Sequence, residues 1–134
     1  MRKLLLLLSM FLLNGCTIID AYMMTHYDPN EYGIITTIRV DAGQFKTQCN
    51  DPIASKANAG KIAYETTAFK LYSENIPKNA DSYKAATSLN EIAQGLVERY
   101  NKSEPVSLVF CQLKFSGIEN SATLMQHVIG NRPR

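Results

Sequence analysis

The chain has 134 residues, 46% of them hydrophobic, which suits one domain with a real core rather than two domains. Its 14 Lys and Arg against 12 Asp and Glu give a formal net charge of +2, and two of the cations, Arg2 and Lys3, lie at the extreme N-terminus. The rest of the chain is electrically balanced. A balanced chain has no basic field to collect phosphates, so nucleic acid is excluded as an expected partner.

The N-terminal segment has the pattern of a secretory signal. Two cations precede an apolar run from Leu4 to Leu13, and Gly15 and Cys16 close the segment. Such a run is too short to cross a bilayer core of about 30 Å as a helix. A cationic head, a short apolar core and a small residue at the cleavage point are instead typical of a signal peptide, which we predict at residues 1–15.

The end of this leader, Leu13-Asn14-Gly15-Cys16, resembles the lipobox of bacterial lipoprotein precursors. The resemblance implies cleavage before Cys16 and acylation of that residue, with palmitate among the acyl chains. Thr17 stands where inner-membrane lipoproteins often carry Asp, so the resemblance favours the periplasmic face of the outer membrane. The alternative is a soluble secreted protein that is cut nearby, in which Cys16 has no special role.

Residues 16–28 are expected to be a membrane-proximal tether. Ile19, Met23 and Tyr27 recur every four residues, as on one face of a short helix. This segment could lie in the membrane interface, pack against the domain, or form coil. Twelve residues extend at most roughly 40 Å, so the domain at residues 29–134 is expected to lie close to the membrane.

Four amphipathic segments follow, separated by short turns. Asp28 and Pro29 suit an N-cap and a first helical residue, and residues 131–134 have the composition of a frayed end. The predicted helices cover residues 29–49, 53–75, 81–100 and 105–129.

Apolar stripes at helical spacing predict the core faces. The fourth segment is apolar on two sides, which places it at the centre of a core rather than at its edge. Its first stripe is Leu108, Cys111, Phe115, Ile118, Ala122, Met125 and Ile129, and its second is Val106, Phe110, Leu113, Leu124 and Val128. The second segment is expected to bury Ile62, Phe69, Tyr72 and Ile76, with Ala57, Tyr64, Ala68 and Leu71 widening the stripe, and the third Ala85, Leu89, Ile92, Leu96 and Tyr100.

These segments predict an all-α fold, an up-down four-helix bundle closed by one disulfide. In that topology the first helix ends where the fourth begins, which brings Cys49 and Cys111 to the same end of the core. An exported chain meets an oxidising compartment, so a disulfide is the expected state of this pair. Two buried free thiols are the alternative.

The sequence holds little sign of catalysis. It has no GxSxG, SxxK or HExxH motif and no glycine-rich phosphate loop. His26 and His127 lie near opposite ends of the mature chain, without the spacing of a metal site, and Glu91 and Glu98 are expected on a solvated helix face. We therefore predict neither enzymatic activity nor a metal or cofactor.

Small residues within the long helices are the remaining sequence feature that could indicate a function. Gly95, Gly117 and Ser121 lower helix stability, by about 1 kcal/mol for each Gly relative to Ala. Close approach of neighbouring helices would explain them. A groove that receives a partner's peptide or helix is the alternative.

The layout of a small lipoprotein with a few helices and a disulfide resembles the helical pilotins of secretion systems. The resemblance implies a non-enzymatic, anchored binding protein for another cell-envelope protein, carrying a client helix in a groove. A phage- or plasmid-encoded exclusion or immunity lipoprotein that blocks a receptor or channel is one alternative. A periplasmic inhibitor or enzyme is another.

Overall fold

The computed structural model describes residues 25–134, and its fold confirms the all-α prediction. This part of the chain forms four helices, and no strand occurs in it. None of these helices is both long and apolar enough to cross a membrane. The helices are α1 (Pro29–Lys46), α2 (Pro52–Glu74), α3 (Ala80–Tyr100) and α4 (Leu108–Gly130). The predicted signal peptide, Cys16 and the tether before residue 25 lie outside the described residues.

Three aspartate or serine side chains begin helices where the chain turns. Asp28 accepts from the backbone N–H groups of Asn30 and Glu31 at 2.8 and 2.9 Å, as predicted for the start of α1. Asp51 caps α2 in the same way. Ser107 caps α4 through the N–H of Phe110, so α4 begins three residues after the predicted start at Pro105 and within reach of an acceptor for its free N–H groups.

The helices form the predicted up-down bundle. α1 packs most closely against α4 and α2 against α3, and contacts between α1 and α2 and between α3 and α4 complete the ring. At one end, the N–H of Tyr27 donates to the carbonyl of Pro133 at 2.9 Å. At the other, Cys49 and Cys111 form a disulfide with their Cα atoms 5.8 Å apart. The start of α1 thus lies beside the end of α4, and the predicted cysteine pair is confirmed.

A filled apolar core lies between the helices. The Phe45 and Phe115 rings meet edge to face with centroids 5.8 Å apart, a favoured aromatic geometry. Aliphatic side chains from all four helices surround them. The largest of these buried side chains are Ile35, Ile38, Ile62, Leu89, Leu96, Ile118 and Ile129.

Two predicted stripes are partly wrong. Tyr64 and Leu71 of α2 are 76% and 53% exposed, and Ala57, Ala68 and Ala85 are also exposed. Small side chains occupy many of the buried positions of α2 and α3 instead, and small side chains let neighbouring helix backbones approach closely. These small residues are Ser55, Ala59, Ala63, Thr66, Ala86 and Ala93.

The C-terminal tail is also not frayed, contrary to the sequence-based expectation. Arg132 is 7% exposed and forms an ion pair with the fully buried Glu31 of α1. Glu31 further accepts from Ser73 at 2.9 Å and from Asn79 at 2.8 Å. The tail therefore closes the end of the bundle at which the described chain begins.

Candidate binding surface

Most of the second apolar stripe of α4 faces solvent. Its members Leu113, Leu124 and Val128, and Val109 beside them, are between 52% and 67% exposed, whereas Val106 and Phe110 pack against the core. The prediction that this stripe lies in the core is therefore wrong for its exposed members, and Leu108 of the first stripe is also 48% exposed. In a ring of four helices each helix contacts only two neighbours, so α4 buries the stripe between α1 and α3 and leaves its other side uncovered.

We call this side the outer face of α4. At 3.6 residues per turn its large side chains fall within roughly 100° of one another, on the opposite side of the helix from the core stripe. From Val109 to Val128 it is about 29 Å long, and the exposed His127 lies within the same arc. The outer face consists of Val109, Leu113, Ser116, Gly117, Asn120, Ser121, Leu124 and Val128.

Charged groups lie at the margins of this face. The Lys114 ammonium is 5.4 Å from the centroid of the Phe110 ring. The Glu119 carboxylate accepts from Lys46 of α1 at 2.6 Å. Glu119 turns toward α1, whereas Lys114 lies over a ring one turn earlier in α4 itself. Exposed apolar side chains grouped on one helix face mark an interaction site more often than exposed apolar side chains scattered singly.

The predicted groove residues lie on open surface. Gly95 of α3 is exposed and Gly117 of α4 is half-buried. A Cβ atom at either position would meet nothing within 4 Å beyond the helix itself. Close approach of a neighbouring helix within the bundle therefore does not explain these glycines. Ser121 is half-buried on the same side of α4 as Gly117.

Three shallow surface cavities stand out, and Gly95, Gly117 and Ser121 line none of these three. One of about 400 Å³ includes Val109 and Leu113, beside the end of α1. Another of about 380 Å³ is polar and lies between α1 and the end of α4. The third, of about 510 Å³, lies beside Asp28 and the end of α2. The first cavity extends the outer face of α4 toward α1.

The polar cavity of about 380 Å³ is walled by side chains that bind one another. Arg39 of α1 donates to the carbonyl oxygen of Gln126 at 2.8 Å, and the Gln126 amide donates to Thr36 at 2.7 Å. His127 is exposed in the last turn of α4, where a cation suits the helix dipole, as the sequence suggests. The groups that could hold a ligand here are engaged within the protein.

Two carboxylates converge between α1 and α2. Lys61 donates to Asp41 at 2.6 Å and lies 3.5 Å from Glu65. A buried oxygen of Glu65 has no hydrogen-bond partner among residues 25–134. Burial, followed by the neighbouring Asp41 carboxylate, raises the pKa of Glu65 to about 7, although Lys61 opposes the shift. Hydrogen bonding to Asp41 is the main cause that raises the pKa of Lys61.

This carboxylate pair joins two helices and lines none of the three cavities. Paired carboxylates can serve acid–base chemistry only beside space for a substrate. Within residues 25–134 there is also no group of three or more His, Cys, Asp or Glu side chains placed to hold a metal ion. The outer face of α4 is consequently the best-defined candidate for function in this part of the chain.

Comparison with protein-family models, with curated proteins and with solved structures gives no match to this chain.

Proposed function

We propose that the protein is a membrane-anchored binding protein of the bacterial cell envelope that recognises another envelope protein through the outer face of α4. The observation that carries the proposal is the set of four large apolar side chains on one face of α4, Val109, Leu113, Leu124 and Val128, which the bundle leaves more than half exposed. Burying a Val or Leu side chain gains about 1.5–3 kcal/mol. Burial of these four exposed side chains against a partner would therefore contribute several kcal/mol to binding.

The anchor belongs to the same proposal. The lipobox-like leader supports acylation at Cys16. Only eight residues separate Cys16 from Thr25, where the described chain begins, and the bundle would then lie within about 30 Å of the lipid headgroups. A domain held at that distance meets partners in or beside the same membrane.

The pilotin-like expectation supports the class of function, although the recognising element we propose differs. Of the predicted groove residues, Gly117 and Ser121 belong to the outer face of α4 and Gly95 lies on α3. A helix face with large side chains four residues apart suits the apolar side of a partner helix, which can place its own side chains between them.

Site-specific photocrosslinking in intact cells tests this proposal. A photoreactive amino acid at Leu113 or Leu124 should give a discrete adduct with one other envelope protein, and the same group at Tyr64 should not. Tyr64 is a matched control because it is 76% exposed on α2, the helix diagonal to α4 in the ring.

The adduct should disappear in the Leu124→Lys variant when the crosslinker is at Leu113, and it should persist in Tyr64→Lys. Crosslinks that reach only a second copy of this chain, or that form equally well from Tyr64, would overturn the proposed envelope partner.

A further inference from the structure

A shallow groove lies at the end of the bundle where the described chain begins. It has a volume of about 510 Å³ and lies between the last turns of α2 and the residue that caps α1. Apolar and aromatic side chains form most of its wall, and Leu71 among them is 53% exposed. We call it the entry groove, and it is lined by Asp28 and, from α2 and the turn after it, by Ala68, Leu71, Tyr72, Ile76 and Pro77.

The described chain begins at the edge of this groove. The hydroxyl of Thr25 donates to the carbonyl oxygen of Pro77 at 3.2 Å and to that of Lys78. Three residues later, the Asp28 carboxylate accepts from the hydroxyl of Tyr72 at 3.2 Å. These hydrogen bonds hold residues 25–28 along the groove, so the chain that precedes Thr25 starts beside Pro77.

The turn that receives Thr25 has an unusual backbone. Lys78 has a φ of 61° and is the one non-glycine residue with a positive φ among residues 25–134. A residue with a Cβ atom adopts this left-handed conformation only where its surroundings favour it. Here the turn brings two successive carbonyl oxygens to one donor of the incoming chain.

We infer that the entry groove is the docking site of the chain's own tether, with apolar side chains of residues 18–24 packed against Leu71 and Ile76. This segment reads Ile-Ile-Asp-Ala-Tyr-Met-Met, so most of its side chains are large and apolar or aromatic. A plain spacer needs no such side chains, since flexible linkers are typically rich in Gly and Ser. Burial in an apolar groove removes them from water, which is favourable.

The covalent connection selects this occupant over a separate molecule. Met24 is bonded to Thr25, so the segment reaches the groove without closing a long loop, and the entropy cost of docking is small. A short connection also gives an effective concentration of the order of millimolar, which a free competitor must match. The groove is confined to the end of one helix. It therefore suits a few side chains, whereas a docked partner helix needs several turns of apolar surface.

Docking fixes how the bundle sits on the membrane. With residues 18–24 held against α2, only Thr17 separates Cys16 from the docked segment. The bundle then presents this end to the lipid instead of swinging on a loose tether, and it holds the outer face of α4 in a constant orientation. This consequence rests on the proposed anchor at Cys16, but docking itself requires neither the lipid nor the envelope partner.

Cysteine pairs within one full-length chain test the docking. Leu71→Cys is combined with Tyr22→Cys, Met23→Cys or Met24→Cys in turn, and each protein is oxidised in neutral phospholipid vesicles. At least one of the three pairs should form a link within a monomer, identified by mass spectrometry of the joined peptides. The same tether variants combined with Leu124→Cys should link at least tenfold less, because Leu124 is 65% exposed on α4, the helix diagonal to α2.

Thiol labelling of Leu71→Cys alone, in the same vesicles, shows what covers the groove. Replacement of the aliphatic side chains of the segment by Ser should raise the labelling rate at position 71 at least fivefold. The labelling rate of Leu124→Cys should not change. The residues replaced are Ile18, Ile19, Met23 and Met24.

Absence of a link at all three tether positions would overturn the inference, as would a labelling rate at position 71 that does not respond to the serine variant. Slow labelling with either tether would mean that the lipid surface covers the groove, and fast labelling with either would mean that nothing does. These results are read on α2, whereas the envelope partner is read by photocrosslinks from α4. The inference and the proposed function therefore fail separately.

Discussion

At the scale of single residues, the most consequential group is the buried guanidinium of Arg132. Besides Glu31, it donates to Asn79 at 2.9 Å and to Ser82. Glu31 in turn accepts from Ser73 and Asn79, so both charges are paired and hydrogen-bonded. A buried ion pair adds little net stability compared with apolar residues, but removal of one partner leaves an isolated buried charge.

Replacement of Arg132 by Met should therefore lower the free energy of unfolding by about 3 kcal/mol or more. The double variant with Glu31→Leu should recover much of that loss, because it removes the isolated carboxylate. Arg134→Met is the matched control. That side chain is exposed and stacks on Tyr27 at 5.1 Å, so its loss should cost under about 1 kcal/mol. Urea unfolding measures all three, and an Arg132→Met variant as stable as the control would contradict this account of the tail.

Glu65 makes stability depend on pH near neutrality. Its folded-state pKa of about 7 lies above the ordinary value of about 4.3, so the folded state holds the proton more tightly. This contribution to stability is fully present below about pH 4.3 and is lost as the pH rises through 7.

Glu65→Gln should remove that dependence. At pH 8 the variant should be more stable than the natural chain by about 1 kcal/mol, because solvent screening reduces the roughly 3.5 kcal/mol that ~1.4 kcal/mol per pKa unit gives for a pKa raised from 4.5 to about 7. At pH 5 the two should differ little. Thermal unfolding across this range is the measurement, and parallel stability curves for the two proteins would rule out a raised pKa at Glu65.

At the scale of helices, the periodicity of apolar residues predicted the positions of the helices in the sequence better than it predicted which face of each helix is buried. The caps at Asp28 and Asp51 and the spacing of apolar residues are local signals, so helix positions follow from the sequence. Which face is buried depends on neighbours. The sequence of α4 carries apolar residues on two sides, and the ring of helices decides that Leu113 and Leu124 stay in water.

The sequence pointed to residues of the candidate surface, but it did not show that these residues are exposed. Gly117 was singled out by its cost to the helix, although the open space around it appears only in the structure. The pair of Glu31 and Arg132 had no sequence signal, because the two residues are 101 positions apart and a terminal arginine is ordinarily solvated.

Replacing Gly117 with Ala should separate stability from binding. A Cβ at this position meets nothing in the bundle, so the variant should be more stable by up to about 1 kcal/mol and should bind the envelope partner less well at the outer face of α4. Gly95→Ala, at an equally open position on α3, should gain similar stability with no effect on binding. Chemical unfolding and the yield of the photocrosslinked adduct from Leu113 report the two effects. A loss of stability in Gly117→Ala would show that the glycine serves the bundle.

At the scale of the whole molecule, a disulfide and an ion pair hold α1 against α4 at opposite ends of the bundle. The disulfide joins the turn after α1 to the first turn of α4, and the Glu31–Arg132 pair joins the start of α1 to the tail after α4. The described chain begins at the end with the ion pair, where Thr25 donates to the carbonyl oxygens of Pro77 and Lys78. We therefore expect the tether to join the bundle at that end.

The proposed anchor has its own test. Cys16→Ser should abolish acylation and either release the protein from membranes or leave an unprocessed precursor. Metabolic labelling with palmitate and membrane fractionation report the two outcomes, and the natural chain is the control. Unchanged labelling and fractionation of the variant would refute anchoring at Cys16.

The disulfide and the Glu31–Arg132 ion pair both stabilise the fold independently of the apolar core. The disulfide should make the larger contribution. It closes a loop between cysteines 62 positions apart, and loop-closure entropy of the unfolded chain then predicts a contribution of about 4 kcal/mol. The paired variant Cys49→Ser with Cys111→Ser, or reduction verified by thiol counting, should lower the unfolding free energy by about that amount. Because the Arg132 cluster still holds the opposite end of α1 and α4, helix content at room temperature should be retained. Unfolding curves that coincide for the oxidised and reduced protein would show that the core and the Arg132 cluster alone set its stability.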